Sequence, residues 1–275
     1  MIVTGASSGI GAATARAFAH RGDTVVAVAR REQRLAALVE ELAVASPESS
    51  YLAGDLSVRA FAEGIVTETV ARHGRLDVLV NNAAIPVRRV LYEISVEDVE
   101  HAFRVNFFSA LWASFAAIPH MLQTGGGTLV NVSSFASKVV PTHETIYAAT
   151  KCALNGLSEG LWNDLHGSGI HVALVHPGPI DTEIWRKGDA PSGYRGIKYP
   201  PERVARAILD AVDRRLHEIV VPRRNPALGL ARLLRLIAPG LLRLGTRRMD
   251  PVPAEAVARA RKRAERGLPL GGDPG

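Results

Sequence analysis

The sequence predicts a doubly wound α/β fold, a parallel sheet with helices on both faces, and three observations carry that expectation. Short apolar runs alternate along the chain with longer helical patterns. The runs show little polar alternation, as expected of strands covered on both sides. Repeated strand–helix order implies parallel strands joined by right-handed crossovers. A chain of 275 residues that is 47% hydrophobic suits one domain of this kind.

The elements follow in order. Only Ile2 and Val3 precede Thr4, so the first strand is short. The later runs are "TVVAVA" (24–29), a weaker "SSYLA" (49–53), "LDVLV" (76–80), "TLVNV" (128–132), "HVALV" (171–175) and "EIVV" (218–221), giving about seven strands. Helical patterns lie near 9–21, 31–45, 58–73, 96–122, 145–167 and 201–215. The body is expected to span 1–222 and to carry a helical tail over 223–275. No repeat of solenoid period interrupts this order.

Charge separates the two parts. The chain carries a net +6, yet residues 223–266 hold 12 Lys/Arg against Asp250, Glu255 and Glu265. Residues 1–222 hold 21 basic and 23 acidic residues. Within the tail, "NPALGLARLLRLIAPGLLRLGTRRM" (225–249) mixes leucine with arginine, and Pro239-Gly240 is expected to break it into two short helices. As one helix it would gather Arg232, Arg235, Arg243 and Arg247 on one face. Two readings stand: an interfacial segment on an anionic membrane surface, or a packing element against the body or a second subunit. Nucleic acid is set aside because the tail lacks aromatic stacking residues. The final "GLPLGGDPG" reads as a disordered end.

A lone cysteine, Cys152, excludes an internal disulfide and fits a reducing compartment, so a cytoplasmic protein is expected, peripheral to the membrane if the tail binds it. After Met1 the chain enters Ile-Val-Thr-Gly at once, so no leader is expected. No uncharged apolar run of membrane-spanning length is read in the sequence. No metal site is expected.

The first strand runs into "TGASSGIG", with glycines at 5, 9 and 11 and serines at 7 and 8. Such a turn brings the backbone close to a ligand, and a helix starting there offers free N–H groups to a pyrophosphate. The plain alternative is a tight strand-to-helix turn. At the end of the second strand "AVARR" has Ala29 where an acid would meet a free ribose 2′-hydroxyl, followed by Arg30 and Arg31. A guanidinium there clamps a 2′-phosphate, which favours NADP(H) over NAD, with Arg30 expected to matter most and Arg31 second. Further along, "IYAATK" sets Tyr147 and Lys151 one helical turn apart on one face. On any helix this pair is usually amphipathic dressing.

Taken together over roughly residues 2–222, these motifs resemble the short-chain dehydrogenase/reductase family. "TGASSGIG" is similar to its cofactor turn, including Ile10, and "GDLS" (54–57) to its adenine-side motif, with Asp55 and Leu56. "NNAA" (81–84) resembles its N-N-A-G, with Asn82 and Ala83 in place and Ala84 replacing the glycine. "VNFF" places Asn106 at the family asparagine, and Ser134 stands thirteen residues before Tyr147, the family's serine spacing. "HPGPIDTE" (176–183) is similar to its P-G segment, which implies nicotinamide contacts at Pro177, Gly178, Ile180 and Thr182.

The resemblance implies a Rossmann-type fold and an oxidoreductase moving a hydride between NADP(H) and a carbonyl or alcohol. The alternative is a non-catalytic dinucleotide-binding or membrane-peripheral protein of the same fold. Under the first reading Tyr147 is the general acid/base, its phenol brought down in pKa by Lys151, which also holds the nicotinamide ribose. Ser134 bonds the substrate oxygen, and Asn106 holds a water linking Lys151 to solvent. The segment 181–200, with Trp185, Tyr194 and Tyr199, reads as a mobile lid with apolar contacts, hence a partly hydrophobic substrate. His143 is expected to be a pocket wall or surface residue, and Cys152 small packing. The family also implies a homodimer or homotetramer through the helices near 104–122 and 147–166.

Overall fold

The computed structural model describes residues 1–185, 194–224, 226–249 and 251–266. Seven strands form one parallel sheet: β1 Ile2–Thr4, β2 Val26–Ala29, β3 Ser50–Ala53, β4 Val78–Asn81, β5 Gly127–Val132, β6 Ile170–Pro177 and β7 Glu218–Val221. Their spatial order is β3-β2-β1-β4-β5-β6-β7. The order reverses between β1 and β4, and in open α/β sheets the crevice beyond the strand ends at such a reversal is where ligands bind.

The burial pattern explains the missing polar alternation. Successive residues of a strand point to opposite faces, and here both faces are covered. Ile2, Val26, Val28, Leu79, Leu129 and Val172 pack under α3 (Arg59–His73), α5 (Ser109–Gln123) and α6 (Thr145–Asp164). Val3, Ala27, Val80, Val130, Val175 and Ile219 pack under α1 (Gly9–His20), α2 (Glu32–Leu42) and α7 (Glu202–Asp213).

The pattern at 96–122 resolves into α4 (Val96–Phe103), one π turn at Arg104–Phe108, and α5. Ser95 and Asp98 close a capping box at its start, so local sequence defines where α4 begins. The continuous stretch Val96–Gln123 is long and apolar enough to cross a membrane by length and composition, which corrects the expectation that nothing in the chain reaches that length. Ala113, Ala117 and Met121 are fully buried under the sheet, so packing inside the fold accounts for its apolar character.

The tail forms α8 (Pro226–Ile237), α9 (Pro239–Met249) and α10 (Ala254–Glu265). The break falls at Ala238, where Pro239 was expected to impose it. The tail packs on the body. Arg235 donates to the carbonyls of Ser137 and Lys138, the Thr142 hydroxyl to the Thr246 carbonyl at 3.4 Å, and Arg259 pairs with Glu93 at 2.6 Å. Its exposed surface mixes apolar and basic side chains: Leu230, Leu233, Leu236, Ile237, Leu241 and Leu244 are exposed, as are Arg232, Arg243 and Arg248. The expected disordered end, 267–275, lies outside the described residues.

Candidate active site

The site is built upward from the glycine turn. At Gly11 a Cβ would lie 2.3 Å from the Gly5 carbonyl oxygen, so no side chain fits there. Gly9 has φ +56 and sits against Thr182. Helix α1 starts here with Ser8 at its N-cap making no side-chain hydrogen bond to it, and Gly9 and Ile10 face the cleft. A helix start of this kind suits an anion. The Thr4 hydroxyl fastens β1 to β4, donating to the Val80 carbonyl at 3.1 Å and accepting the amides of Asn82 and Ala83 at 2.9 and 3.1 Å.

Beside the turn, Arg30 and Arg31 diverge. Arg30 is solvent-exposed at the cleft edge. Arg31, expected to rank second to Arg30, is instead the one built into the turn. It donates to the Ser7 hydroxyl at 3.0 Å, the Ser8 hydroxyl at 2.8 Å and the Glu183 carboxylate at 2.8 Å. Asp55 accepts the Ser57 amide at 2.9 Å. Partial burial pushes its carboxyl up, but the Ser57 bonds and the Arg30 charge outweigh this and hold it below the usual value. Leu56 next to it is buried.

At the other end, β5 delivers Ser134 and α6 delivers Tyr147 and Lys151. Ser134 accepts the Ala136 amide at 3.1 Å and hydrogen-bonds the Tyr147 phenol. Lys151 is 2% exposed; its Nζ donates to the Val132 carbonyl at 2.9 Å and lies 5.9 Å from the Tyr147 ring centre. Asn106 sits in the π turn. Its oxygen accepts the Ile85 amide at 2.8 Å, and its nitrogen donates to the Ile85 carbonyl at 3.0 Å and the Thr150 hydroxyl at 3.2 Å. It therefore clamps the loop following "NNAA" to α6.

The electrostatics correct one expectation. Lys151 was expected to bring the phenol down, yet in the chain itself the Tyr147 pKa is pushed up to about 12. Burial is the main cause and the Glu144 charge adds to it, outweighing the Ser134 bond and Arg88. Burial also pushes Lys151 down to about 8, which weakens the cation meant to do the lowering.

Both ends open into one cavity of about 1340 Å³. That exceeds the roughly 300–1,000 Å³ of an ordinary ligand pocket, as a dinucleotide and a substrate side by side require. Of the residues expected to contact cofactor or substrate, Gly11 and Asn106 lie behind its lining and Tyr199 packs against the core beside Ile180, while the others line it. Its far wall is apolar, with Val87, Val139, Ile184, Trp185 and, from the tail, Leu228 and Ala231. His143 is a wall residue, held at φ +64 in the left-handed region. Trp185 stacks on Tyr194 at 5.7 Å, while residues 186–193 of the expected lid lie outside the described residues. Cys152, expected to be small packing, is exposed.

Three charged residues at the site escaped the sequence reading. Arg88 donates to Glu144 at 2.9 Å and to the Ile184 carbonyl at 3.1 Å, next to Tyr147 and almost out of solvent. Glu183 pairs with Arg31 and Arg34 across the cleft. The adjacent arginines of "PVRRV" and the acid Glu144 just before α6 were the available signal, but nothing local says that 88 and 144 meet.

Comparison with known proteins identifies the family. The family profile described as short chain dehydrogenase matches residues 1–192. An uncharacterised oxidoreductase of Bacillus subtilis, YxnA, is 33% identical over 84% of this chain and 67% of its own length. A short-chain dehydrogenase from Sphingobium yanoikuyae, solved in complex with NADPH, superposes with a TM-score of 0.75 at 30% identity, covering 92% of this chain and 96% of that one. A short chain dehydrogenase/reductase from Burkholderia phymatum, solved with NAD, gives a TM-score of 0.79 at 26% identity over 87% of this chain and 93% of that one. With its doubly wound sheet, its glycine turn and this breadth of similarity, the chain belongs to the short-chain dehydrogenase/reductase family of oxidoreductases.

Proposed function

We propose that this protein is an NADP(H)-dependent oxidoreductase that interconverts a hydrophobic carbonyl compound and its alcohol, with residues 1–222 as the catalytic unit. The observation that carries the reading is that Ser134, Tyr147 and Lys151 meet the glycine turn in one cavity. The cleft fits a nicotinamide dinucleotide: the turn leaves no room for a side chain at Gly11, and the start of α1 faces it. Gly5, Ser7, Ser8, Gly9 and Ile10 would hold the pyrophosphate, Asp55, Leu56, Asn82 and Ala83 the adenosine and first ribose, and Pro177, Gly178, Ile180 and Thr182 the nicotinamide side. When bound, the cofactor supplies the hydride exchange. Arg31, backed by Arg30 and with no acid at Ala29, favours a 2′-phosphate.

In the reaction Tyr147 gives its proton to the carbonyl oxygen. A phenol held near 12 stays protonated through neutral pH, which suits donation in the reductive direction. Ser134 bonds the same oxygen as charge develops on it. Lys151 anchors through Val132 and holds the ribose hydroxyls, and Asn106 keeps α6 in register with the cleft. The apolar wall excludes water and selects a hydrophobic ketone or aldehyde.

Two finer readings accompany this. Exposed Phe108, closing the π turn, with Phe115 and Leu122 on α5 supports a homodimer or homotetramer. The exposed leucines of α8 and α9, beside Arg232, Arg243 and Arg248, support docking of 225–249 on an anionic membrane surface of a cytoplasmic protein. The test of the main reading is a panel of ketones and aldehydes assayed for NADPH and NADH oxidation. Turnover with NADPH favoured supports it. A higher kcat/KM with NADH overturns the cofactor assignment, and binding without turnover on any carbonyl or alcohol favours a non-catalytic dinucleotide sensor.

A further inference from the structure

Beside the glycine turn, a cluster of cationic and hydroxyl groups converges on one carboxylate. The Arg31 guanidinium reaches Glu183 at 2.8 Å while its other nitrogen is held by the Ser7 and Ser8 hydroxyls, at 3.0 and 2.8 Å. Arg34, one turn of α2 further on, donates to the other oxygen of Glu183. Two guanidiniums thus face one carboxylate, which leaves these three groups one positive charge in excess. Two serine hydroxyls stand beside it, able to donate to a further anion. A phosphate monoester, with charge near −2 and three acceptor oxygens, matches this set better than a carboxylate does.

Glu183 belongs to a different part of the chain, the segment after β6. Its neighbour Thr182 packs against Gly9, so the carboxylate reaches across the cleft mouth from the nicotinamide side. These two ion pairs hold it only weakly. The Arg31, Glu183 and Arg34 side chains are 34%, 32% and 51% exposed, and ion pairs that wet contribute little. A ligand phosphate with better charge match therefore displaces it readily.

We propose that Glu183 occupies the anion site formed by Ser7, Ser8, Arg31 and Arg34, competes there with the 2′-phosphate of the cofactor, and so sets how strongly the protein selects NADP(H) over NAD(H). The inference rests on the reading that Arg31 faces the adenosine ribose. It goes beyond that reading in assigning a residue that opposes phosphate binding. The competition has a structural consequence. Ile184 and Trp185 follow Glu183 directly; the Ile184 carbonyl accepts from Arg88, and Trp185 walls the substrate chamber. Displacing Glu183 therefore frees the residue next to the Arg88 anchor, linking the adenosine end of the cleft to the substrate end.

The test is equilibrium binding of 2′,5′-ADP and of 5′-AMP to the full chain, wild type and Glu183→Gln, by calorimetry at fixed ionic strength. Glutamine keeps the size of the side chain and removes the charge. The expected result is that 2′,5′-ADP binds roughly three- to tenfold more tightly to the variant while 5′-AMP changes less than about twofold, since only the phosphate meets the vacated charge. Arg31→Gln combined with Glu183→Gln should erase the gain, which guards against a general loosening of the cleft. Weaker 2′,5′-ADP binding in Glu183→Gln would mean that Glu183 orients Arg31 for the phosphate, and would overturn the proposal. Equal tightening of both ligands would reduce Glu183 to a steric block and overturn it as well. The wild-type preference between the two ligands tests the NADP(H) assignment separately. A wild type that prefers 5′-AMP, with the gain in Glu183→Gln intact, sinks that assignment and leaves the competition standing.

Discussion

Replacing Arg88 by methionine tests whether the site is braced by the ion pair behind Tyr147. Arg88 and Glu144 keep only 8% and 15% of their side-chain surface in solvent and meet at 2.9 Å. Methionine roughly preserves the volume but strands the largely buried Glu144 carboxylate without its partner and leaves the Ile184 carbonyl without its donor. Removing one partner of a fully buried pair costs about 3–5 kcal/mol. Glu144 retains a little water, which lowers that figure, and the lost bond to Ile184 adds about 1 kcal/mol, so about 3 kcal/mol is expected overall. For a chain of this size that corresponds to a fall in Tm of about 6–10 °C. Thermal unfolding of Arg88→Met, Glu144→Met and the double variant measures it. The double variant should recover more than half of the loss, because two apolar side chains replace a desolvated pair with no stranded charge. A fall below about 2 °C in Arg88→Met, or a double variant no better than the worse single, would refute the claim that the pair is a buried brace.

Four further outcomes are expected. Tyr147→Phe should bind dinucleotide as wild type does and lose about 10²-fold or more in kcat, since the ring still packs and only the proton is gone; fluorescence titration and initial rates separate the two. Lys151→Met should raise thermal stability at pH 7 while weakening dinucleotide binding. Burial lowers the folded Lys151 pKa to about 8 from 10.5, so the unfolded chain binds more protons between those values and wild-type stability rises with pH across that window, a slope the variant should lack in melts at pH 7 and 9.5. Gly11→Ala should abolish dinucleotide binding with little change in the far-UV spectrum, because its Cβ would fall 2.3 Å from the Gly5 carbonyl oxygen. The full chain should sediment with anionic liposomes in a salt-sensitive way, and truncation after Pro222 should abolish this; a full chain indifferent to liposomes would leave α8 and α9 as packing elements alone.

The strand–helix order and the glycine turn were legible in the sequence because their causes are local. Both faces of the sheet are covered, so the strands read as unbroken apolar runs such as "LDVLV" and "TLVNV". The close approach of Gly11 to Gly5 admits no side chain, and that exclusion is written as glycine. The break before α9 is written as Pro239. Tyr147 and Lys151 share a face through helix periodicity alone, but their placement opposite Ser134 rested on the family resemblance. What the tertiary structure decided are the relations between distant segments. Sequence showed two arginines after β2; only the fold shows that Arg31 enters the turn and meets Glu183, 152 residues away. The Arg88–Glu144 pair joins positions 56 residues apart, and no periodicity links them. The phenol was expected to be lowered by the charge one turn away, yet its pKa is raised, because desolvation depends on everything packed around a group and not on its neighbours in sequence. The tail's double character has the same origin: leucine and arginine were visible in order, but which leucines line the cavity and which face outward follows from how α8 and α9 lie on the body.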